Sequence, residues 1–116
     1  MNIESLREYC LSKTGAAETL PFGPDTLVYK VGGKVFLLTS LDADDFRFNV
    51  KCDPDLALEL RERYDCVQPG FHMNKKHWNT IIVQGDLLNQ QLKTWIDHSY
   101  ELVVKSLPKK MRDQLG

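Results

Sequence analysis

The sequence predicts an α+β fold, a two-layer sandwich in which an antiparallel sheet carries its helices on one face. Three observations predict it. Three segments repeat apolar residues at helical spacing, and five others are short runs of β-branched and aromatic residues. The strands are joined by short turn signals, which favours antiparallel neighbours. Phe46-Arg47-Phe48-Asn49-Val50 alternates cleanly, as a strand with one buried and one wet face does. The order is helix, three strands, helix, two strands, helix, or α-β(3)-α-β(2)-α, in a single domain over residues 1–116.

Residues 2–14 read as the first helix. Asn2 can cap it, Ile3, Leu6, Cys10 and Leu11 share a face, and Gly15 is a natural stop. Residues 16–25 read as a connector, because Pro21 and Pro24 remove donors and fix φ; Phe22 between them is expected to plug the edge of the core. Leu27–Val31 and Val35–Thr39 form a hairpin through Gly32-Gly33, whose positive φ a tight turn needs. Leu41–Asp45 is an acidic turn; without a Gly and a terminal Glu at loop spacing it is no calcium loop. Asp53-Pro54 then starts a second helix that ends near Asp65, with Leu56, Ala57, Leu60 and Tyr64 inward. Cys66-Val67 and Thr80-Ile81-Ile82-Val83 read as strands on either side of the polar stretch, which sets residues 72–77 on or beside a hairpin or bend. The last helix spans about Asn89 to Ser106, with Leu92, Trp95, Ile96, Ser99, Leu102 and Val103 on one face. Pro108 ends it, and a basic tail from Lys109 is expected to fray.

The composition is that of an ordinary soluble domain, 42% hydrophobic and 27% charged, with no apolar run able to span a bilayer. The first residues lack the basic start and apolar run of a signal peptide, so the cytosol is the expected compartment, with no membrane partner. Three scattered cysteines, Cys10, Cys52 and Cys66, read as reduced thiols. Cys66 with His72 and His77 lacks a fourth ligand, so no metal and no cofactor is expected. There is no Gly-rich phosphate loop, GxSxG, HExxH or CxxC, and an enzyme is not expected. The net charge of −1 argues against a strongly electrostatic nucleic-acid binder, but it is unevenly placed. Residues 1–66 hold 8 Lys and Arg against 12 Asp and Glu, and residues 67–116 hold 7 against 4.

Polar groups and aromatics are densest in Pro69-Gly70-Phe71-His72-Met73-Asn74-Lys75-Lys76-His77-Trp78-Asn79-Thr80. At this stretch the chain resembles the MmcQ/YjbR family. His98-Ser99-Tyr100-Glu101-Leu102-Val103-Val104 followed by Leu107-Pro108-Lys109-Lys110 is similar to the family's second signature. Pro21-Phe22-Gly23 and Val31–Phe36 match its N-terminal half. Phe71 departs from the tyrosine often found there, which loses a hydroxyl. The resemblance implies an α-β(3)-α-β(2)-α fold like that of secretion chaperones and the CyaY-like group. It also implies a DNA-binding role with two β-hairpin wings.

The residues allow that role and a plainer one. Lys75 and Lys76 could neutralise phosphates, Asn74 could address bases or sugars, and His72, His77 and Trp78 could stack or hydrogen-bond. Lys109 and Lys110 extend the patch if the last helix ends nearby. Each also has a structural reading. Trp78 could be core, adjacent lysines could be a solvated turn tip, Asn74 could hold a left-handed turn, and the histidines could be structural hydrogen-bonders. Ser99 reads as a packing residue that lets the helix approach the sheet. A protein- or peptide-interaction module is the alternative, by strand addition at an exposed sheet edge.

Overall fold

The computed structural model describes residues 1–83, 87 and 89–115. Among them the order is α1 (Ile3–Leu11), β1 (Ala16–Thr19), β2 (Thr26–Val31), β3 (Lys34–Ser40), β4 (Arg47–Lys51), α2 (Pro54–Arg63), β5 (Val67–Pro69), β6 (Trp78–Ile82), α3 (Asn89–Ser106) and α4 (Lys109–Leu115). All strands are antiparallel in one sheet of order β1-β2-β3-β4-β6-β5. The α+β class holds. Two elements are additional to α-β(3)-α-β(2)-α, the strand β1 and the helix α4.

β1 lies in what reads as connector. Ala16-Ala17-Glu18-Thr19 shows neither alternation nor aromatic content, and as an edge strand it is held by its backbone ladder to β2. Phe22 does not plug the core; it is 72% exposed in the loop that follows. The basic tail is helical: the Met111 and Arg112 amides donate to the Pro108 carbonyl. At its end, Leu115 packs against the core between Gly15 and Val31.

The helix signals act as expected. Asn2 Oδ1 accepts from the Ser5 amide at 2.9 Å, and Ser5 Oγ accepts from the Asn2 amide in return. Asp53 Oδ1 accepts from the Asp55 amide at 3.1 Å, with Pro54 at the first helical position. Gly32, at φ +58°, turns β2 into β3, and a Cβ there would stand 2.7 Å from Leu107 Cδ1. Only glycine therefore allows both the turn and the seating of the α3 terminus upon it. No described helix is long and apolar enough to cross a membrane.

Burial divides the sheet into two faces. One core cluster takes Leu6 and Cys10 from α1, Ala57 and Leu60 from α2, and Leu92, Trp95, Ile96 and Val103 from α3. Against them lie Leu27, Tyr29, Val31, Phe36, Leu37, Phe48, Val50, Val67 and Ile81. Phe36 and Leu37 point the same way because the β2–β3 register shifts between Tyr29 and Lys30. That bulge breaks the β3–β4 ladder beyond Leu37 and Val50. Ser99 of α3 closes the gap: its hydroxyl donates to the Phe36 carbonyl (2.5 Å) and accepts from the Lys51 amide (2.8 Å).

Candidate nucleic-acid interface

The dense stretch forms the end of β5, a loop over residues 70–77, and the start of β6. Its shape is set by backbone and amide contacts. Gly70 lies over Trp78, where a Cβ would meet Trp78 Cβ at 2.8 Å, and its amide donates to the Trp78 carbonyl. Asn74 Oδ1 accepts from the Lys76 amide, and the Asn74 carbonyl accepts from the His77 and Trp78 amides. The left-handed residue is His72, at φ +59°, and not Asn74. Arg61 of α2 clamps the loop from the core side. Its Nε donates to Asn79 Oδ1 at 2.7 Å, and its Nη2 donates to the Lys75 and Trp78 carbonyls. Asn79, 1% exposed, also reaches the Ala57 carbonyl.

The predicted site residues therefore take different stations. Lys76, Asn74 and His72 are exposed, and the His72 ring lies 4.1 Å from that of Phe71. Lys75 is exposed overall, yet its ammonium donates to the Gly70 carbonyl within the loop. His77 is half-buried, and its carbonyl accepts from the Cys52 amide. Trp78 is half-buried but lies outside the core cluster; it pairs with Lys51 on the face turned away from the helices. Lys109 and Lys110 are exposed on α4, beside the β2–β3 turn. They share the end of the sheet with the 70–77 loop but not its position. Between β2 and β6 lie three strand spacings, about 14 Å.

That end of the sheet gathers further cations. Lys30 is the last but one residue of β2 and Lys51 the last of β4, Lys34 opens β3 and reaches the Ser106 carbonyl at 3.4 Å, and Lys105 is exposed on the last turn of α3. Asp53 and Asp55 at the start of α2, Glu101 on α3 and Asp113 on α4 are the carboxylates that share this end, fewer than the cations. The opposite end is acidic: the β1–β2 loop carries Asp25, and the β3–β4 turn carries Asp42, Asp44 and Asp45, the last paired with Arg47 at 2.6 Å. The charge is thus split along the strand axis. The uneven halves of the sequence hint at this, but Lys30, Lys34 and Lys51 become part of the basic end only once the register is known.

The second signature is structural. Besides Ser99, Tyr100 Oη donates to the Thr14 carbonyl (2.5 Å) and its ring stands edge-on to Phe36. His98 Nε2 accepts from the Asp53 amide at 3.2 Å. The thiols are buried, with Cys52 beside the loop through its amide hydrogen bond to the His77 carbonyl. Cys66 is buried in the core while His72 is exposed. Burial pushes the Cys10 thiol up to about 12 and that of Cys52 to about 11, against thiolate formation.

Comparison with known proteins agrees with this frame. The YjbR family model matches residues 11–102, most of the chain. The chain belongs to the YjbR family. It is 31% identical over 115 residues to YjbR of Escherichia coli K12, covering 99% of this chain and 98% of that protein. It is 40% identical over 94 residues to YbdF of E. coli O157:H7, covering 81% of this chain and 75% of YbdF. Both YjbR relatives are described as uncharacterised. The crystal structure of Deinococcus radiodurans DR2400, with domain DUF419, superposes with a TM-score of 0.92 at 36% identity, over 99% of this chain and 88% of that one. A Pseudomonas syringae crystal structure superposes at 0.77 with 25% identity, over 89% of this chain and 99% of that one. The YjbR fold is thus shared at both levels of similarity.

Proposed function

We propose that this YjbR-family protein is a non-enzymatic DNA-binding protein that grips phosphates with the basic end of its sheet. The observation that carries the reading is the segregation of charge. Lys76, Lys105, Lys109 and Lys110 are exposed at one end, while Asp25, Asp42 and Asp44 are exposed at the other. Two projections, the 70–77 loop and the β2–β3 turn with α4 beside it, act as the two wings. Their separation of about 14 Å is close to the major-groove width of about 12 Å, so each can meet a different backbone strand. Loop geometry supports rigid presentation, since Arg61 holds the tip before any ligand arrives.

A few lysines give weak, salt-sensitive binding, with Kd on the order of 10⁻⁴–10⁻⁶ M at physiological salt. The test is fluorescence anisotropy of a 20-base-pair duplex at 50 and 200 mM salt. Binding should fall steeply between the two and be abolished by Lys76→Glu combined with Lys109→Glu and Lys110→Glu. No binding at low salt by micromolar protein would overturn the reading. The second reading, a protein- or peptide-binding module, draws on the acidic end, where Leu20, Phe22 and Leu41 are 50%, 72% and 47% exposed. A partner whose binding survives salt and lysine reversal but is lost with Phe22→Ser would favour it.

A further inference from the structure

We infer that the sheet face turned away from the helices is a platform for single-stranded nucleic acid, with Trp78 as its stacking residue and Lys30 and Lys51 as its phosphate contacts. The inference rests on the DNA-binding reading and names a substrate class within it.

The register defines the face. Val28, Leu38, Asn49 and Thr80 lie in one row across β2, β3, β4 and β6, Lys30 pairs with Val35, and Lys51 pairs with Trp78. Every buried apolar helix residue from α1 to α3 belongs to the core cluster on the other side, and α4 buries none. Among the described residues, therefore, no helix covers this face. Val35, Leu38 and Trp78 stand outside that cluster and are half-buried, forming a second, partly accessible apolar strip over Val28, Asn49 and Thr80, which are buried beneath their neighbours.

Charge selects the occupant. None of the strand positions on this face is Asp or Glu; the strand carboxylate, Glu18, pairs with Tyr29 on the helix side and accepts its hydroxyl at 2.7 Å. The cations on the face are Lys30, Arg47 and Lys51. Arg47 is held by Asp45 at the acidic end, which leaves Lys30 and Lys51 toward the basic end. An apolar floor with cations and no carboxylates suits a repeating anion with apolar faces.

Trp78 makes that anion single-stranded. A half-buried indole directly across the ladder from a lysine sets an aromatic ring beside a cation, the pairing that base stacking with a phosphate contact uses. Duplex bases are stacked on each other and cannot reach it. Beside it, Thr80 Oγ1 accepts from the Phe71 amide (2.9 Å) and donates to Asn49 Oδ1 (2.5 Å), which fixes two polar side chains at the floor of the strip. The face also runs to the basic end, so a strand leaving it meets Lys76.

The experiment measures anisotropy of fluorescein-labelled dT20 and of a duplex of equal length, with tryptophan emission recorded alongside. Trp95 is 8% exposed, so quenching reports on Trp78. Binding of dT20 should quench emission; Trp78→Ala should weaken it about ten-fold and leave duplex affinity unchanged. Lys30→Gln with Lys51→Gln should lower the salt slope for dT20 by roughly 1.4. If Trp78→Ala does not fold, Trp78→Phe and the lysine pair carry the test. Duplex binding without dT20 binding overturns the platform and leaves the DNA reading standing. So does dT20 binding that ignores both sets of variants, or quenching by heparin, a polyanion without bases, equal to that by dT20. Failure to bind either oligonucleotide overturns both.

Discussion

Replacing Ser99 with alanine isolates one hydroxyl. The residue is fully buried on α3, and its oxygen bridges the Phe36 carbonyl and the Lys51 amide where the β3–β4 ladder parts. Alanine removes one atom, so the cavity contribution is small. What changes is that a buried carbonyl and a half-buried amide lose their partner. A fully buried group costs about 1–3 kcal/mol and the half-buried amide less, which places the loss at about 2–5 kcal/mol. A domain of this kind has about 5–15 kcal/mol in total, so the variant should fold but be much weakened. The assay is urea unfolding followed by circular dichroism. With a slope of about 1–3 kcal/mol per molar, the midpoint should fall by roughly 1–2 M at unchanged slope. A loss below about 0.5 kcal/mol would show that β3 and β4 reseal without the serine, and the bridging role would be wrong. A changed slope would mean that the native state itself had loosened.

Arg61→Ala should destabilise the fold by about 2–3 kcal/mol, because Asn79 is buried and loses its guanidinium donor. Amide exchange should also quicken within residues 70–78, and unchanged protection there would contradict the clamp. The hydrogen bonds from Arg7, with that from Tyr29, hold the Glu18 carboxyl below its usual range, so the folded state favours the carboxylate. Its contribution is therefore present above the unfolded pKa and lost as the pH falls through the lower folded value. Glu18→Gln should be less stable than the parent at pH 7, and the gap should narrow on acidification below pH ~4; a gap that widens would refute this sign.

How much was legible depended on whether a residue's role was local. α3 was readable to its ends, since eighteen residues of helical periodicity leave little ambiguity. The caps at Asn2 and Asp53 act on amides two or three residues away, and they too could be read. β1 could not, because its ladder to β2 uses backbone alone and Ala-Ala-Glu-Thr advertises nothing. α4 was hidden because Pro108 looks only like an end, whereas its carbonyl also starts the next helix. Phe22 was expected inside on its aromatic character, but the loop that carries it projects from the acidic end. Among the site residues, the exposure of Lys76 was legible from its turn. The tether on Lys75 and the outward setting of Trp78 were not, since both depend on which residues face each other across β4, β5 and β6.

The two densest signatures turn out to hold the same end of the sheet from two sides. Arg61 ties the 70–77 loop and Asn79 to α2, while Ser99 and Tyr100 tie β3, β4 and the turn at Thr14 to α3. Residues with that many partners cannot swing out to a ligand without releasing them. The groups with freedom to meet one are sparser in sequence: Lys30, Lys51 and Trp78 on the uncovered face, and Lys76, Lys109 and Lys110 at its rim. A crowded motif is then a measure of how firmly a surface is braced. On the proposed reading, the ligand contacts fall to neighbours that strand pairing, and not chain proximity, brings alongside.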